Sequence, residues 1–238
     1  MNVVLLASTP KPEQLVALAA RLCYSPTSIE DLKAEVARKD VRKFIQHVIA
    51  MGHTSVLEHA SFSFGIEGIS RAASHQLVRH RIASFSQQSQ RYVATEFGYV
   101  TPKSIVESRP ATDGSNLQEL YERHMNASSE LYAELLNAGV HPEDARFVLP
   151  NATETKIITT MNARELQHFF ALRLCRRAQW EIREMAKKML ALVLKKAPFL
   201  FEDSGPGCMR GNCPEGKMTC GEASEVRREL RGLKERKA

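Results

Sequence analysis

"ASFSFGIEGISRAASHQLVRHR", residues 60–81, changes its period halfway along, and that change sets the fold class. Phe62, Phe64 and Ile66 alternate with Ser61, Ser63 and Glu67, the period of two that marks a half-buried strand. Ser70 then offers a hydroxyl to the first turn of a short helix, which delivers the chain to Arg79, His80 and Arg81. Working outward, "NVVLLAS" (2–8) and "TKIITTM" (155–161) read as further strands. "KPEQLVALAARLCY" (11–24) has helical spacing at Leu15, Leu18 and Leu22. Ser28 with Asp31 resembles a capping box opening one helix with Leu32, Val36, Phe44, Ile45 and Val48 inward, ended by Gly52. A long helix runs from about Leu117 to Ala138 and stops at Gly139. Asn162 with Glu165 opens the longest helix, predicted to run to about Lys196 before Pro198. Strands separated by single helices of varied length, with no regular βαβ period, predict an α+β fold with an antiparallel sheet packed with long helices.

The 238 residues suffice for a substantial core, and 43% hydrophobic with 25% charged residues is ordinary for a globular chain. We expect one domain over 1–202 and a Gly-, Pro- and Cys-containing, then charged, tail over 203–238, either flexible or an ordered loop with a loose end. A net charge of +6 and a pI near 9.1 favour anionic partners. "MNVVLLASTP" lacks a cationic n-region and reads as a strand rather than a signal peptide. No stretch approaches the ~20 apolar residues of a membrane span, so no membrane partner is expected. Five cysteines, an odd number, suit a reducing cytoplasm better than a disulfide framework.

Several chemistries are excluded by pattern. "GNCPEGKM" in the tail approaches a phosphate-cradling loop, but Met218 replaces the magnesium-holding hydroxyl and Pro214 removes an amide donor. Cys208, Cys213 and Cys220 lack paired CxxC spacing and a nearby His, so they read as free thiols and no metal is expected. No GxGxxG follows a strand. His53, Glu58 and His59 do not form HExxH, and Ser84, Ser86 and Ser89 lack an identifiable base. The cations of "VRRELRGLKERK" are interrupted by Glu229 and Glu235, and 7% aromatics offer few stacking platforms, so nucleic acid is not expected.

"RHRIASFSQQSQRY", residues 79–92, is the informative stretch. Adjacent cations repel unless an anion or fixed geometry compensates. A solvated basic loop is the plain reading of a bare RHR. Here Gln76 precedes the triplet, and an extended segment beyond it would place Gln87, Ser89 and Arg91 on one face. Guanidinium forks, an amide and a hydroxyl together suit a phosphate-bearing ligand with an amide-bearing base.

The string "QLVRHRIASFSQQSQRY" resembles the signature of the flavin-dependent thymidylate synthases, RHR followed by seven residues and a serine. "GHTSVLEHASFSF" (52–64), "HPEDARFVLP" (141–150) and "MNARELQHFFALRLCRRAQWEIREMA" (161–186) resemble that family's His-x-Ser/Thr segment, Arg-x-x-Leu-Pro segment and active-site helix, in the same order. The resemblance implies that family's fold and the reductive methylation of dUMP to dTMP. Methylenetetrahydrofolate (5,10-methylenetetrahydrofolate) would give the carbon, FAD the hydride, and NADPH would be the usual reductant. It implies a homotetramer with active sites shared between protomers. By the same matching, Ser55, Arg79, His80, Arg81, Gln87, Asn162, Ala163, Arg164 and His168 would hold FAD. Gln76, Leu77, Val78, Arg79, Gln87, Gln88, Ser89, Gln90, Arg91, Arg146 and Arg173 would hold dUMP, with His53 on the folate side. Arg173 would be the catalytic residue.

The residues accommodate that chemistry. Cys23 and Cys175 sit in helical, apolar contexts and read as structural, so no thiolate is available to attack the uracil ring. A cation at the N3/O4 edge would instead stabilise the ring's developing charge. Arg173, among Phe169, Phe170, Leu172 and Leu174, would be partly buried and would need a polar partner. In a regular helix Arg164 and His168 share a stripe while Arg173 points about 180° from Arg164, so the helix should lie between two ligand surfaces.

Overall fold

The computed structural model describes residues 1–92 and 98–235. In chain order it contains β1 (Asn2–Ser8), α1 (Pro12–Leu22), α2 (Ile29–Arg38), α3 (Arg42–Ala50), β2 (Ser61–Ser70), α4 (Arg71–Leu77) and β3 (Ala83–Gln87). There follow α5 (Lys103–Val106), α6 (Leu117–Asn137), α7 (Pro142–Ala145), β4 (Glu154–Asn162), α8 (Ala163–Arg173), α9 (Trp180–Lys196), α10 (Pro198–Phe201) and α11 (Ala223–Glu235). The fold is α+β. Its sheet has the order β1-β2-β4-β3 and is antiparallel. Register shows the antiparallel sense: Thr9 N–H donates to the Ser61 carbonyl, while Asn2 Nδ2 reaches Glu67 Oε1 at 3.0 Å. Between β2 and β4, the Ser63 and Thr160 hydroxyls meet at 2.8 Å, and Arg71 N–H donates to the Thr153 carbonyl.

The chain forms two compact units. The first comprises Met1–Asn2, Ile66–Val78 and Ser86–Ile157; the second comprises Val3–Gly65, Arg79–Phe85 and the chain from Ile158 on. In the first, Ile66, Ile69, Leu77, Met125, Tyr132 and Ile157 are buried. The second is centred on an aromatic cluster. Phe62 and Phe201 stack edge to face at 5.4 Å, Phe170 lies 6.0 Å from Phe201, and Phe169 lies 5.7 Å from Phe170. Each such ring, fully withdrawn from water, contributes about 2–3 kcal/mol.

The strands expected at 2–8, 60–70 and 155–161 are present as β1, β2 and β4, as is the long helix ending before Gly139. Ser70 Oγ accepts from Ala73 N–H at 3.0 Å and opens α4 as expected. Three element predictions require correction. The helix expected from Ser28 to Gly52 is two helices, because Lys39 turns extended (φ −107°, ψ 149°) and Asp40 Oδ1 accepts from Arg42 N–H to restart the spiral. The helix expected from Asn162 to Lys196 breaks over 174–179, where the Gln179 side chain caps α9 by accepting from the Glu181 and Ile182 amides. In α1 the buried face is Val16, Ala17 and Ala20, and Leu22 lies exposed at the helix end.

Residues 203–235 belong to the second unit, and the last of them form α11. Val226 and Leu230, one turn apart, are buried, and Arg227 Nε donates to the Cys208 carbonyl at 2.6 Å. No helix among the described residues is long and apolar enough to cross a membrane.

Candidate active site

In the first unit, α4, the end of β3 and the segment around α7 carry most of the residues expected to meet the nucleotide; Arg79 and Arg173 lie in the second. Gln76 is half-buried on α4, followed by buried Leu77 and exposed Val78. The Gln87 amide donates to Ser74 Oγ at 2.9 Å and to Thr155 Oγ1 at 3.1 Å. Both hydroxyl-bearing residues are buried, so Gln87 locks the strand end against α4. The expected shared face of Gln87, Ser89 and Arg91 is not present. β3 ends at Gln87, and after the Gln88 amide bonds to the Lys156 carbonyl the chain turns, with Ser89 Oγ accepting from Arg91 N–H at 3.1 Å. Ser89 and Gln90 are half-buried in this turn. Arg91 is exposed and forms an ion pair with Glu143 at 2.8 Å.

Arg146 Nε donates to the backbone carbonyl of the same Glu143 at 3.0 Å. Arg71, unremarked in the sequence, is half-buried. Burial, and then the charge of Arg146, pull its pKa down. Two guanidiniums held within reach of each other in a partly dry setting favour an anion between them.

In the second unit, α8 organises the site. Asn162 Oδ1 accepts from Glu165 N–H at 2.9 Å and caps the helix. Ala163 is fully buried, with its amide donating to the Ala60 carbonyl. Arg164 is exposed and pairs with Glu58, so it faces a different partner from Arg173. Arg79 and Arg81 are exposed; His80 between them is 4% exposed. Its Nδ1 lies 3.0 Å from Glu165 Oε1, and its Nε2 accepts from Arg173 Nε at 3.0 Å. Because Arg173 can only donate, Nε2 carries the lone pair and Nδ1 the proton, directed at the carboxylate. Burial, then the nearby Arg173 and His168, outweigh Glu165 and hold the imidazole pKa below its usual value. His80 is therefore neutral, which corrects its placement among three adjacent cations. Phe169 packs edge-on against its ring at 4.9 Å, and His168 does so at 5.9 Å. Ligand atoms of His80, Glu165 and His168 lie within 4.8 Å of one another, the spacing of a metal site, but both His80 nitrogens are already engaged.

A cavity of about 330 Å³ in the same unit is lined by Gln46, Thr54, Arg164, His168, Ser204 and Arg210 among others. Ser204 Oγ is buried there without a hydrogen-bond partner. Ser55 and His53 are exposed beside Thr54, on the short 3-10 turn before β2. Cys23 caps α1 and is exposed, and Cys175 lies in the turn after α8, so neither is the helical core residue that was expected.

The sequence profile of the family described as "Thymidylate synthase complementing protein" matches residues 4–199. The chain belongs to this family. Its members include enzymes named flavin-dependent thymidylate synthase. That of Geobacter sulfurreducens is 58% identical over 98% of this chain and 99% of its own length. Those of Clostridium tetani and Pyrococcus furiosus are 47% and 45% identical, over 96% and 90% of both chains. The chain is accordingly an enzyme of the flavin-dependent thymidylate synthase family. The matched span takes in every motif quoted from 52 to 186 and ends before Cys208, Cys213 and Cys220. Pattern reasoning missed Glu165, Arg71, Glu143 and Ser204. Only Glu165 carried a signal, as an acidic residue among buried Leu166, Phe169 and Phe170, and its expected place in the helix start with Asn162 masked it.

Proposed function

We propose that this chain methylates dUMP to dTMP, with 5,10-methylenetetrahydrofolate supplying the carbon and NADPH the electrons. We further propose that it has the flavin-dependent thymidylate synthase fold and works in the cytoplasm as a homotetramer with shared sites. The observation that carries the reading is the chain Glu165–His80–Arg173, in which a neutral imidazole fixes the Arg173 guanidinium at Nε. Methylation at C5 of uracil requires electron density at that carbon. A rigid cation at the N3/O4 edge stabilises the negative charge that builds on O4 as C5 becomes nucleophilic, and it does so most strongly where water is scarce. Burial already disfavours the charged form of Arg173, so a developing anion is a better partner for it than solvent.

In the nucleotide's other half, the Arg71–Arg146 pair suits a phosphate, joined by Gln76 and the Ser89–Arg91 turn. The FAD donors also fit. Arg79 and Arg81 offer exposed forks, and Arg164, His168 and the orphaned Ser204 hydroxyl converge on one cavity, with Asn162 beside them at the start of α8. When bound, FAD supplies the hydride that completes the methyl group. His53, exposed beside the same turn, serves the folate side. Exposed apolar side chains, among them Phe147 at 83% and Ile82 at 69%, support assembly with further copies.

The deciding experiment is Arg173→Lys. It keeps the charge and loses the planar fork, and it should leave FAD bound while slowing methylation about 100-fold or more. A variant that methylates at the wild-type rate would overturn the role of Arg173.

A further inference from the structure

Four of the five cysteines converge although three segments carry them. Cys175 in the turn after α8, Cys208 and Cys213 in the following loop, and Cys220 just before α11 line one cavity of about 460 Å³ in the second unit. Three of them lie outside the family profile, and Arg173 lines the same cavity. Cys208 is buried, and Cys175, Cys213 and Cys220 are half-buried around the same cavity.

The spacing argues against a single compact ion. A single zinc ion held by four thiolates would draw the sulfurs to about 3.8 Å from one another and close the site. Among the described residues, no three of these sulfurs lie within 4.8 Å of one another, and they surround open volume. A cubane of iron and sulfide holds its four cysteine sulfurs roughly 6 Å apart. We propose that Cys175, Cys208, Cys213 and Cys220 ligate a [4Fe–4S] cluster.

The surroundings suit an anionic cluster. The Glu222 amide donates to Cys220 Sγ at 3.5 Å, across Gly221 in the left-handed region (φ +77°), which stabilises a thiolate there. Arg176, on the cavity wall, has a buried Nε with no acceptor in line; the nearest carboxylate oxygen, on Glu222, is off axis at 3.3 Å. Cluster sulfur is the acceptor this nitrogen lacks. The loop is also built to hold its shape. A Cβ at Gly207 would meet the Pro214 ring at 2.7 Å, and Arg227 clamps the Cys208 and Gly211 carbonyls.

The test is metal analysis of the full chain purified without oxygen, followed by incubation with ferrous iron and sulfide. About four iron and four labile sulfide per chain are expected, with a paramagnetic signal on reduction distinct from flavin. Cys213→Ser and Cys220→Ser should lose iron while keeping FAD and the circular dichroism of the parent; Cys23→Ser should keep both. One zinc per chain, a disulfide among the four, or no iron after reconstitution overturns the proposal. So does iron that survives both serine variants. Neither activity nor dUMP binding enters the readout, so failure of the enzymatic reading leaves this result intact.

Discussion

His80 illustrates how far a neighbour in space can reverse a neighbour in sequence. Between two arginines it reads as part of a cationic triplet, yet Glu165 and Arg173 hold it neutral. Since its folded pKa lies below the unfolded value near 6.5, the unfolded chain takes up a proton that the folded one refuses. Its effect on stability is therefore nil above about pH 6.5 and grows more unfavourable as the pH falls toward the folded pKa. Melting temperature should drop between pH 7.5 and 5.5, and His80→Asn should flatten that drop; an unchanged slope would exclude His80 as its source. Glu165 is a positioning residue, acting on Arg173 through His80. Glu165→Gln should cut kcat about tenfold while leaving FAD content and the KM for dUMP near the parent values. A rise in KM with kcat unchanged would assign Glu165 to binding instead. That Arg173 would be partly buried and held by a polar partner was legible from its apolar neighbours in sequence. The relay was not, because Glu165 stands 85 positions from His80 and long-range pairing leaves no local trace.

Among the elements, period proved more legible than continuity. Alternation over 61–70 and the hydroxyl of Ser70 predicted β2 and α4 correctly, because both signals are local and physical. The breaks at 39–41 and 174–179 escaped notice, since apolar residues continue through each at a spacing either structure tolerates. The second break rests on Gln179, a residue type that seldom caps a helix. Its one side-chain oxygen serves two amides, at 3.0 and 3.1 Å. Gln179→Ala should cost about 1 kcal/mol, seen as a lower denaturant midpoint with an unchanged slope. No shift in midpoint would mean that water caps α9 equally well. The break also matters to the site: it ends α8 at Arg173, and the next turn brings Cys175 to the cavity that Arg173 also lines.

At the scale of the whole molecule, the residues proposed for dUMP lie mostly in the first unit, with Arg79 and Arg173 in the second, and those proposed for FAD lie mostly in the second. A shared site predicts complementation. Arg146→Ala and a Ser89→Ala, Arg91→Ala double variant, each nearly inactive alone, should recover activity when coexpressed. About a quarter of pockets in an equal mixture would regain both halves. Activity no greater than the sum of the two, in oligomers shown to be mixed, would place Arg146 and the Ser89–Arg91 turn in a pocket of one chain. Glu143, which both arginines already meet within a protomer, would then be its pivot. The units themselves are not successive stretches of chain. The backbone passes from one to the other within β1, within β2, after α4, within β3 and within β4. No single cut in the gene therefore releases either unit as a contiguous segment. Neither unit can be traded to another protein as one contiguous cassette, because each holds only part of β2 and part of β4.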